Sequence, residues 1–216
     1  PGDTYLTDGI VLKSNIWHDF GGAQIKMRGS TQFYLVRAVD TQVLGDYYGQ
    51  NQNIKITGGF LDANGTGRLL VRACFIDNLI IDGVTVTSHP VANWAFQLGG
   101  RNGRVSNVRI RGGANTIFQD GIHIMHGRHW TVENCDIESG DDCVALGAPA
   151  NDFHLDIQKE PLQFVTVSNI LANSNHGFAL KVHAEAAGYG VYDVTASLDV
   201  QRRGDEYLAW DQERLV

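Results

Sequence analysis

Three aspartates in the stretch from Gln119 to Gly147 have the types and spacing that acid–base chemistry needs. Asp120 stands directly before the apolar segment GIHI, and the pair Asp141 and Asp142 stands directly before CVAL. Neighbouring carboxyls can divide into an acid and a base, because the negative charge of one raises the pKa of the other. The pattern, with several histidines nearby, therefore favours general acid–base catalysis.

About 21 residues separate Asp120 from Asp141, close to one coil of a strand solenoid. Strands of such a solenoid stack about 4.8 Å apart, so we expect the three carboxylates to meet on one outer face. Aspartate beside glycine is also ordinary turn chemistry, which is the alternative explanation. A turn does not need two adjacent carboxylates that repel each other, so Gly-Asp-Asp favours the catalytic interpretation.

Short segments of alternating apolar and polar residues recur along the chain at intervals of about 22 to 28 residues. Each has an (I/V)-x-(I/V) core followed by Gly, Asn or Asp, and no segment has a convincing period of 3.6. The pattern predicts an all-β fold, a right-handed parallel β-helix whose coils bury their apolar stripe by stacking. A β-sandwich is the alternative. The predicted units begin at Asn53, Asn78, Ser106, His129, Phe164 and Val191.

The organisation indicates a single β-helix domain over residues 1–216. Because the chain begins inside patterned sequence, we expect it to be an excerpt of a longer one. Residues 147–163 read as an insertion that leaves and rejoins the solenoid, and such a loop would wall one side of a cleft beside the aspartates. An insertion at a coil corner without any function is the alternative.

Composition argues against several classes of protein. The formal charge of −7, the pI near 5.5 and the lack of a basic cluster argue against a nucleic-acid partner. No apolar run approaches the roughly 18 residues of a membrane span. No cofactor or metal is predicted, since the cysteines lack metal-ligand spacing. Cys74 and Cys135 are expected in the core, while Cys143 is either core or half of a disulfide.

The segments FQDGIHI, SGDDCVALG and SNHGFAL resemble, in order and placement, the motifs of glycoside hydrolase family 28. That family comprises polygalacturonases and rhamnogalacturonases, which are right-handed parallel β-helices. Its pattern runs Asn-Thr-Asp-Gly, Gly-Asp-Asp-Cys, Gly-His-Gly and Arg-Ile-Lys. The opening PGDTYLTDGIVLKSNI is similar to the family's early coils, so the resemblance covers most of residues 1–185.

The resemblance implies roles for four residues. Asp141 would be the general acid, while Asp120 and Asp142 would position and deprotonate the attacking water. Such an arrangement implies inversion, with the acid and base roughly 6.5–9.5 Å apart. His176 would hydrogen-bond the acid and help set its protonation. A core or supporting histidine without a catalytic role is the alternative.

Two departures from the family pattern bear on the substrate. The first motif has Phe118-Gln119 before Asp120 where the family has Asn-Thr, and no Arg-Ile-Lys occurs. In the family, that Arg and Lys grip a galacturonate carboxylate. We therefore expect an acidic polysaccharide other than plain galacturonan. Lys181 is a replacement cation for binding it, or alternatively a solvated surface lysine.

Further residues are predicted to bind the sugar. Trp94 lies one coil before Asp120, where its ring would stack on a sugar, although a packing role is the alternative. His123, outward in GIHI, and Arg101 are further candidates. Alternation after His176 predicts that Lys181 and His183 also face outward.

The sequence thus favours a secreted, extracellular glycoside hydrolase that degrades a polysaccharide, although a periplasmic or virion-surface location is also compatible. A polysaccharide lyase or epimerase with calcium and a cationic base is one alternative. A phage tailspike module that binds or depolymerises a glycan is another. A monomer is expected, or a trimer in the tailspike case.

Overall fold

The computed structural model describes residues 2–29, 34–38, 51–65, 69–88, 94–111, 119–147, 161–183, 190–200 and 208–210. No helix occurs among these residues, so none could span a membrane. The described residues form fifteen strands: β1 Thr4–Thr7, β2 Ile10–Leu12, β3 Trp17–Met27, β4 Tyr34–Ala38, β5 Asn51–Asp62, β6 Leu69–Asp82, β7 Thr85–Ser88, β8 Phe96–Ser106, β9 Arg109–Ile110, β10 Ile122–Ser139, β11 Val144–Leu146, β12 Leu162–Ser174, β13 Leu180–Val182, β14 Val191–Val200 and β15 Leu208–Trp210.

Every strand pairing in the described chain is parallel, and the strands wind as successive coils. Long strands bend and contribute to two or three stacks, so each coil crosses three stacks that we call the first, middle and third sheets. The middle sheet consists of the starts of β3, β5, β12 and β14, the ends of β6 and β8 and the central part of β10. The third sheet consists of β1, β7, β9 and the ends of β3, β5, β10, β12 and β14. The first sheet holds the short strands β2, β4, β11, β13 and β15 together with the starts of β6, β8 and β10. The predicted right-handed parallel β-helix is confirmed, and the β-sandwich alternative is wrong.

Alternating side chains fill the interior of the solenoid. In the first sheet, Ile122 and Ile124 are fully buried in one continuous apolar core, and their partners Val144 and Leu146 are stacked directly on them. Burying one such aliphatic side chain contributes about 1.5–3 kcal/mol. Position 123, between the two isoleucines, faces the other side of the sheet. The core therefore fixes which residues of each coil can reach the outer face.

A corner of left-handed backbone precedes the middle sheet in each coil. Its residues are in register and have φ between 52° and 66°: Asn15, Asn53, Asn78, Asn102, His129, Phe164 and Asp193. Asparagine tolerates this conformation better than other side chains with a Cβ. The Asn53 amide donates to Asn15 Oδ1 at 2.8 Å, and the Asn78 amide donates to Asn53 Oδ1 at 2.9 Å.

A second left-handed corner follows the middle sheet, at Gly58, Gly83, Asn107, Asn134 and Asn169. This corner explains a register error in the predicted repeat. The unit placed at Ser106 belongs to the second corner, and the true counterpart of Asn53 and Asn78 is Asn102. Both corners read as asparagine before an apolar residue, so the local pattern does not distinguish them.

Cys74, Cys135 and Cys143 are buried and unbonded to one another, so the core alternative for Cys143 is confirmed. The predicted insertion at 147–163 falls largely on residues 148–160, which lie outside the described residues.

Candidate active site

Strand register brings the three aspartates together. Ile122 pairs with Val144, and Val144 pairs with Leu180, so the turns that precede these strands are stacked. The Gly121 N–H donates to the Asp142 carbonyl at 2.8 Å, which locks the two aspartate turns together. One carboxylate oxygen from each of Asp120, Asp141 and Asp142 lies within 4.8 Å of the others. The predicted meeting of the carboxylates is confirmed.

The backbone of Asp141 is held from two coils. Its N–H donates to the Gln119 carbonyl at 3.1 Å, and its carbonyl accepts from Ser139 Oγ at 2.7 Å and Ser174 Oγ at 2.6 Å. The Asp141 side chain is the one member of the cluster that is only half-buried. No hydrogen bond engages its carboxyl within the described part of the chain, which leaves it able to exchange a proton with a ligand.

Asp142 is only 2% exposed, and both of its carboxylate oxygens have partners. Oδ1 accepts the Phe178 N–H at 2.9 Å, and Oδ2 lies 3.4 Å from Lys181 Nζ. The glycine at position 177 is required by this packing. A Cβ there would lie 2.5 Å from Asp141 Oδ1 and 2.6 Å from Asp142 Oδ1.

Asp120 is 4% exposed and is paired with His123, which is 2% exposed. His123 Nδ1 lies 2.7 Å from Asp120 Oδ2, and His123 Nε2 lies 2.9 Å from the Gly147 carbonyl oxygen. A carbonyl only accepts hydrogen bonds, so Nε2 carries a hydrogen. Both ring nitrogens of His123 are thus engaged, which fixes the orientation of the ring beside the Asp120 carboxylate.

The surroundings of the cluster change the pKa values of its carboxyls. Burial, followed by the negative charges of Asp142 and Asp120, raises the pKa of Asp141 to about 7, although Lys181 and His123 act in the opposite direction. Burial and the charge of Asp120 also raise the pKa of Asp142. Burial acts to lower the pKa of Lys181, but the surrounding carboxylates outweigh it and the pKa is raised. Lys181 therefore stays cationic beside the acids.

The oxygen spacing within the cluster, 4.8 Å or less, is shorter than the roughly 6.5–9.5 Å expected between acid and base. A set of three carboxylate oxygens at this spacing could also hold a hard divalent cation. Lys181 already supplies a positive charge at the same cluster.

Two histidines take positions that differ from the prediction. His176 is exposed beside the acid pair, and its backbone N–H donates to the Gly140 carbonyl at 3.1 Å. Its imidazole makes no hydrogen bond to the aspartates, so the predicted bond to the acid is not formed. His183 is only 6% exposed, and its ring lies edge-on to His123 with centroids 5.4 Å apart. This burial does not suit the predicted sugar contact.

The remaining predicted residues divide between the cluster and another sheet. His123 is buried with both ring nitrogens engaged, so it orients Asp120 and cannot grip a sugar. Trp94 lies one coil below Asp120, half-buried, with its ring 4.2 Å from the His123 ring. Arg101 pairs in register with Asp77 and Arg128, past the bend at Gly100, and is not part of the acid cluster.

The groups that hold the acids in place were not predicted from the sequence. These are the Phe178 N–H, the Gly147 carbonyl and the hydroxyls of Ser139 and Ser174. The two serines pair in register and each precedes a glycine- or asparagine-containing turn, SGDD and SNHG. That recurrence was the available signal. The backbone groups leave no signal in residue types.

Comparison with known proteins agrees with the motifs. A curated polygalacturonase from Prunus persica is 29% identical over an alignment of 137 residues, and the match covers 52% of this chain and 34% of the relative. A curated polygalacturonase from Juniperus ashei is 23% identical over 128 residues, 58% of this chain and 22% of the relative. The chain thus spans about a third or less of the length of these relatives. No solved structure matched significantly. The family model for glycosyl hydrolases family 28 matches residues 2–196, and the chain belongs to that family.

Proposed function

We propose that this chain carries the active site of a glycoside hydrolase that cleaves an acidic polysaccharide with inversion. The observation that carries the proposal is the division within the acid cluster. Asp141 is half-exposed with a pKa of about 7, whereas Asp120 and Asp142 are buried and already hold partners. One protonated and one ionised carboxyl are what glycoside cleavage requires.

Asp141 is the general acid in this proposal. A pKa near about 7 leaves a large fraction of the carboxyl protonated at neutral pH. Because its backbone is fixed by two serine hydroxyls and its carboxyl is not hydrogen-bonded to described residues, the proton can pass to the leaving glycosidic oxygen.

Asp120 and Asp142 serve as the base side of the reaction. Both are nearly inaccessible, so neither carboxylate can reach a sugar carbon directly. A water molecule is small enough to lie between them and the sugar, and its attack from the face opposite to the leaving group inverts the anomeric carbon. The oxygen spacing of 4.8 Å or less is shorter than inverting enzymes usually have, so the configuration of the product anomer is the test of inversion.

Lys181 supports an acidic substrate. Its ammonium lies 3.4 Å from Asp142 at the acid cluster and is one-third exposed, so it can meet a substrate carboxylate while remaining paired. Both curated relatives are named polygalacturonase. The absence of Arg-Ile-Lys from the sequence favours an acidic polysaccharide other than plain galacturonan. Trp94 and the exposed His176 are proposed as further sugar contacts beside the acids.

The cellular setting follows from the substrate. Polysaccharides of this type lie outside cells, so we place the enzyme outside the cell as well. All three carboxylates come from one chain, and a monomer therefore suffices for the proposed chemistry.

The test is digestion of a panel of acidic polysaccharides with the products followed by proton NMR. Inversion predicts that the first product formed has the anomeric configuration opposite to the bond cleaved. Retention of the configuration would mean that a carboxylate, and not water, attacks the anomeric carbon first, and it would overturn the proposed inversion. An unsaturated product that absorbs ultraviolet light would identify a lyase and overturn the proposal. Asp141→Asn should lower the rate at which reducing ends are released by about 10²- to 10⁴-fold.

A further inference from the structure

The corner before the middle sheet changes character along the solenoid. In four successive coils, here called the lower coils, the corner residue is asparagine: Asn15, Asn53, Asn78 and Asn102. In the next three, the upper coils, it is His129, Phe164 and Asp193, with φ values of 58°, 55° and 53°. The backbone is the same in both groups, so the change concerns side chains alone.

The outward column of the middle sheet changes at the same coil. In the lower coils it consists of Trp17, Lys55, Ile80 and Arg104. In the upper coils it consists of Thr131, Thr166 and Thr195, which pair in register. Two independent columns thus switch together, one to aromatic and acidic side chains and the other to hydroxyls.

The switched residues surround an open groove of about 490 Å³, which we call the corner groove. This volume is within the range of small-molecule sites. The groove lies on the middle sheet, whereas the acid cluster precedes the first sheet of the same coils. Its lining consists of His129, Trp130, Thr131, Phe164, Thr166, Asp193 and Thr195.

Phe164 is the least expected residue in this setting. A bulky side chain at positive φ is an outlier, because the left-handed conformation brings its Cβ against the backbone. Asparagine would fit there and would continue the ladder of the lower coils. Phe164 is nevertheless 48% exposed, and its ring stacks on the His129 ring with centroids 5.0 Å apart and planes 10° apart. Folding alone does not select an exposed phenylalanine at a strained position, which points to a ligand.

The lining identifies the chemistry of that ligand. Aromatic rings present flat apolar surface, and threonine hydroxyls both donate and accept hydrogen bonds. None of the seven lining residues is lysine or arginine, and Asp193 adds a negative charge. An anionic sugar would be repelled here, whereas an uncharged sugar has apolar ring faces and hydroxyls that match the groove.

We propose that the corner groove is a second, non-catalytic site that binds uncharged sugar units of a polysaccharide. The choice of a saccharide rests on the proposed function. The groove would hold neutral segments while the acid cluster, with Lys181, works on acidic ones. The two sites would then recognise different parts of one heterogeneous polymer.

The test is calorimetric titration of the full chain carrying Asp141→Asn, which prevents cleavage. The probes are two neutral tetrasaccharides, β-1,4-galactotetraose and cellotetraose, and one anionic probe, tetragalacturonic acid. We expect at least one neutral probe to bind and Phe164→Asn to weaken that binding about tenfold or more, a loss of about 1.4 kcal/mol. Phe164→Asn suits the local backbone, so the variant should fold. Tyr192→Ala, which removes an aromatic that is 37% exposed and outside the groove lining, is the matched control and should leave binding unchanged.

Each contrary outcome has one meaning. The proposal is overturned if no neutral probe binds, or if Phe164→Asn binds it as well as the parent does. It is also overturned if tetragalacturonic acid binding depends on Phe164. Failure of the proposed function would appear elsewhere, as hydrolysis at an undiminished rate in Asp141→Asn, and Phe164-dependent binding of a neutral probe would stand in that case.

Discussion

The acid cluster and the corner groove belong to the same coils but place polar side chains in opposite environments. At the cluster, Asp120 and Asp142 are 4% and 2% exposed, and each carboxylate has a fixed partner. At the groove, Thr166 and Asp193 are exposed. Burial is what raises the pKa of a carboxyl, whereas a ligand can use only groups that it can reach. One scaffold thus carries the proposed catalytic site at one sheet and the proposed sugar-binding groove on another.

The largest expected effect is on activity, and it distinguishes the acid cluster from the corner groove. Asp141→Asn removes the proposed proton donor, so kcat for polysaccharide cleavage should fall by about 10²- to 10⁴-fold. Asp193→Asn changes a carboxylate of the groove in the same way and should leave kcat on short acidic substrates unchanged. Reducing-end assays on both variants make the comparison. An equal loss of kcat in the two variants would contradict the distinction between the acid cluster and the corner groove.

Crowding at the cluster is the next test. In Gly177→Ala the new methyl group would contact the carboxyls of Asp141 and Asp142 and displace them. Misplacement of catalytic groups on this scale should lower kcat by about 10- to 100-fold. Gly29→Ala is the control, because nothing lies within 4 Å of a Cβ there. Full activity in Gly177→Ala would show that the positions of these acids do not matter.

The pH profile tests whether Lys181 tunes the acid. Asp141 must be protonated, so activity should fall as the pH rises through about 7. The charge of Lys181 lowers the pKa of both Asp141 and Asp142. Lys181→Met should therefore move both limbs of the profile to higher pH, by about half a unit to one unit. Lys26→Met, which breaks an ion pair with Asp62 in the lower coils, should not move the profile.

Replacing Asp141 by asparagine should raise the stability of the protein, although it lowers the activity. The pKa of Asp141 is raised from 3.8 to about 7 in the folded state. The free energy of unfolding therefore falls as the pH rises from about 4 to about 7, and the loss is complete above pH 7. Asp141→Asn should consequently be more stable than the parent above pH 7, by on the order of 1 kcal/mol because the group is only half-buried. Urea unfolding at several pH values measures this, and the gain should vanish below about pH 4. A gain that did not depend on pH would have another cause.

The smallest expected effect concerns the groove. Phe164→Asn should raise the free energy of unfolding by about 1 kcal/mol, because asparagine adopts the left-handed backbone with less strain. The cost of losing the stack on His129 is limited by the exposure of the ring. A loss of stability measured by chemical denaturation would mean that the stack supports the fold, and it would remove the strain argument for a ligand there.

Much of the fold followed from local pattern. The alternation around Ile122 and Ile124 predicted strands, and the recurrence of such segments predicted stacked coils. The register was less secure. The (I/V)-x-(I/V) core that follows Ser106 predicts a unit there, yet Asn107 occupies the second corner and not the corner of Asn53 and Asn78. Local sequence marks a left-handed corner without saying which of two corners it is.

The acid cluster was predictable in its members but not in its supports. Asp120, Asp141 and Asp142 are marked by their spacing of one coil. His123 was expected to reach a sugar because it alternates with core isoleucines, but neighbouring rings cover it and both nitrogens are engaged. Alternation gives the side of a sheet on which a residue lies, and only packing gives its exposure.

The sequence by itself determined the period of the coils, the apolar stripe and the aspartates that would be stacked, because each of these depends on residue types at regular intervals. Tertiary structure decided which carboxyl remains half-exposed, which charged groups surround it and which histidines are buried. It also decided that His129 and Phe164 meet at one corner. These properties depend on contacts between coils, and residues distant in the sequence become neighbours only when the solenoid closes around its core.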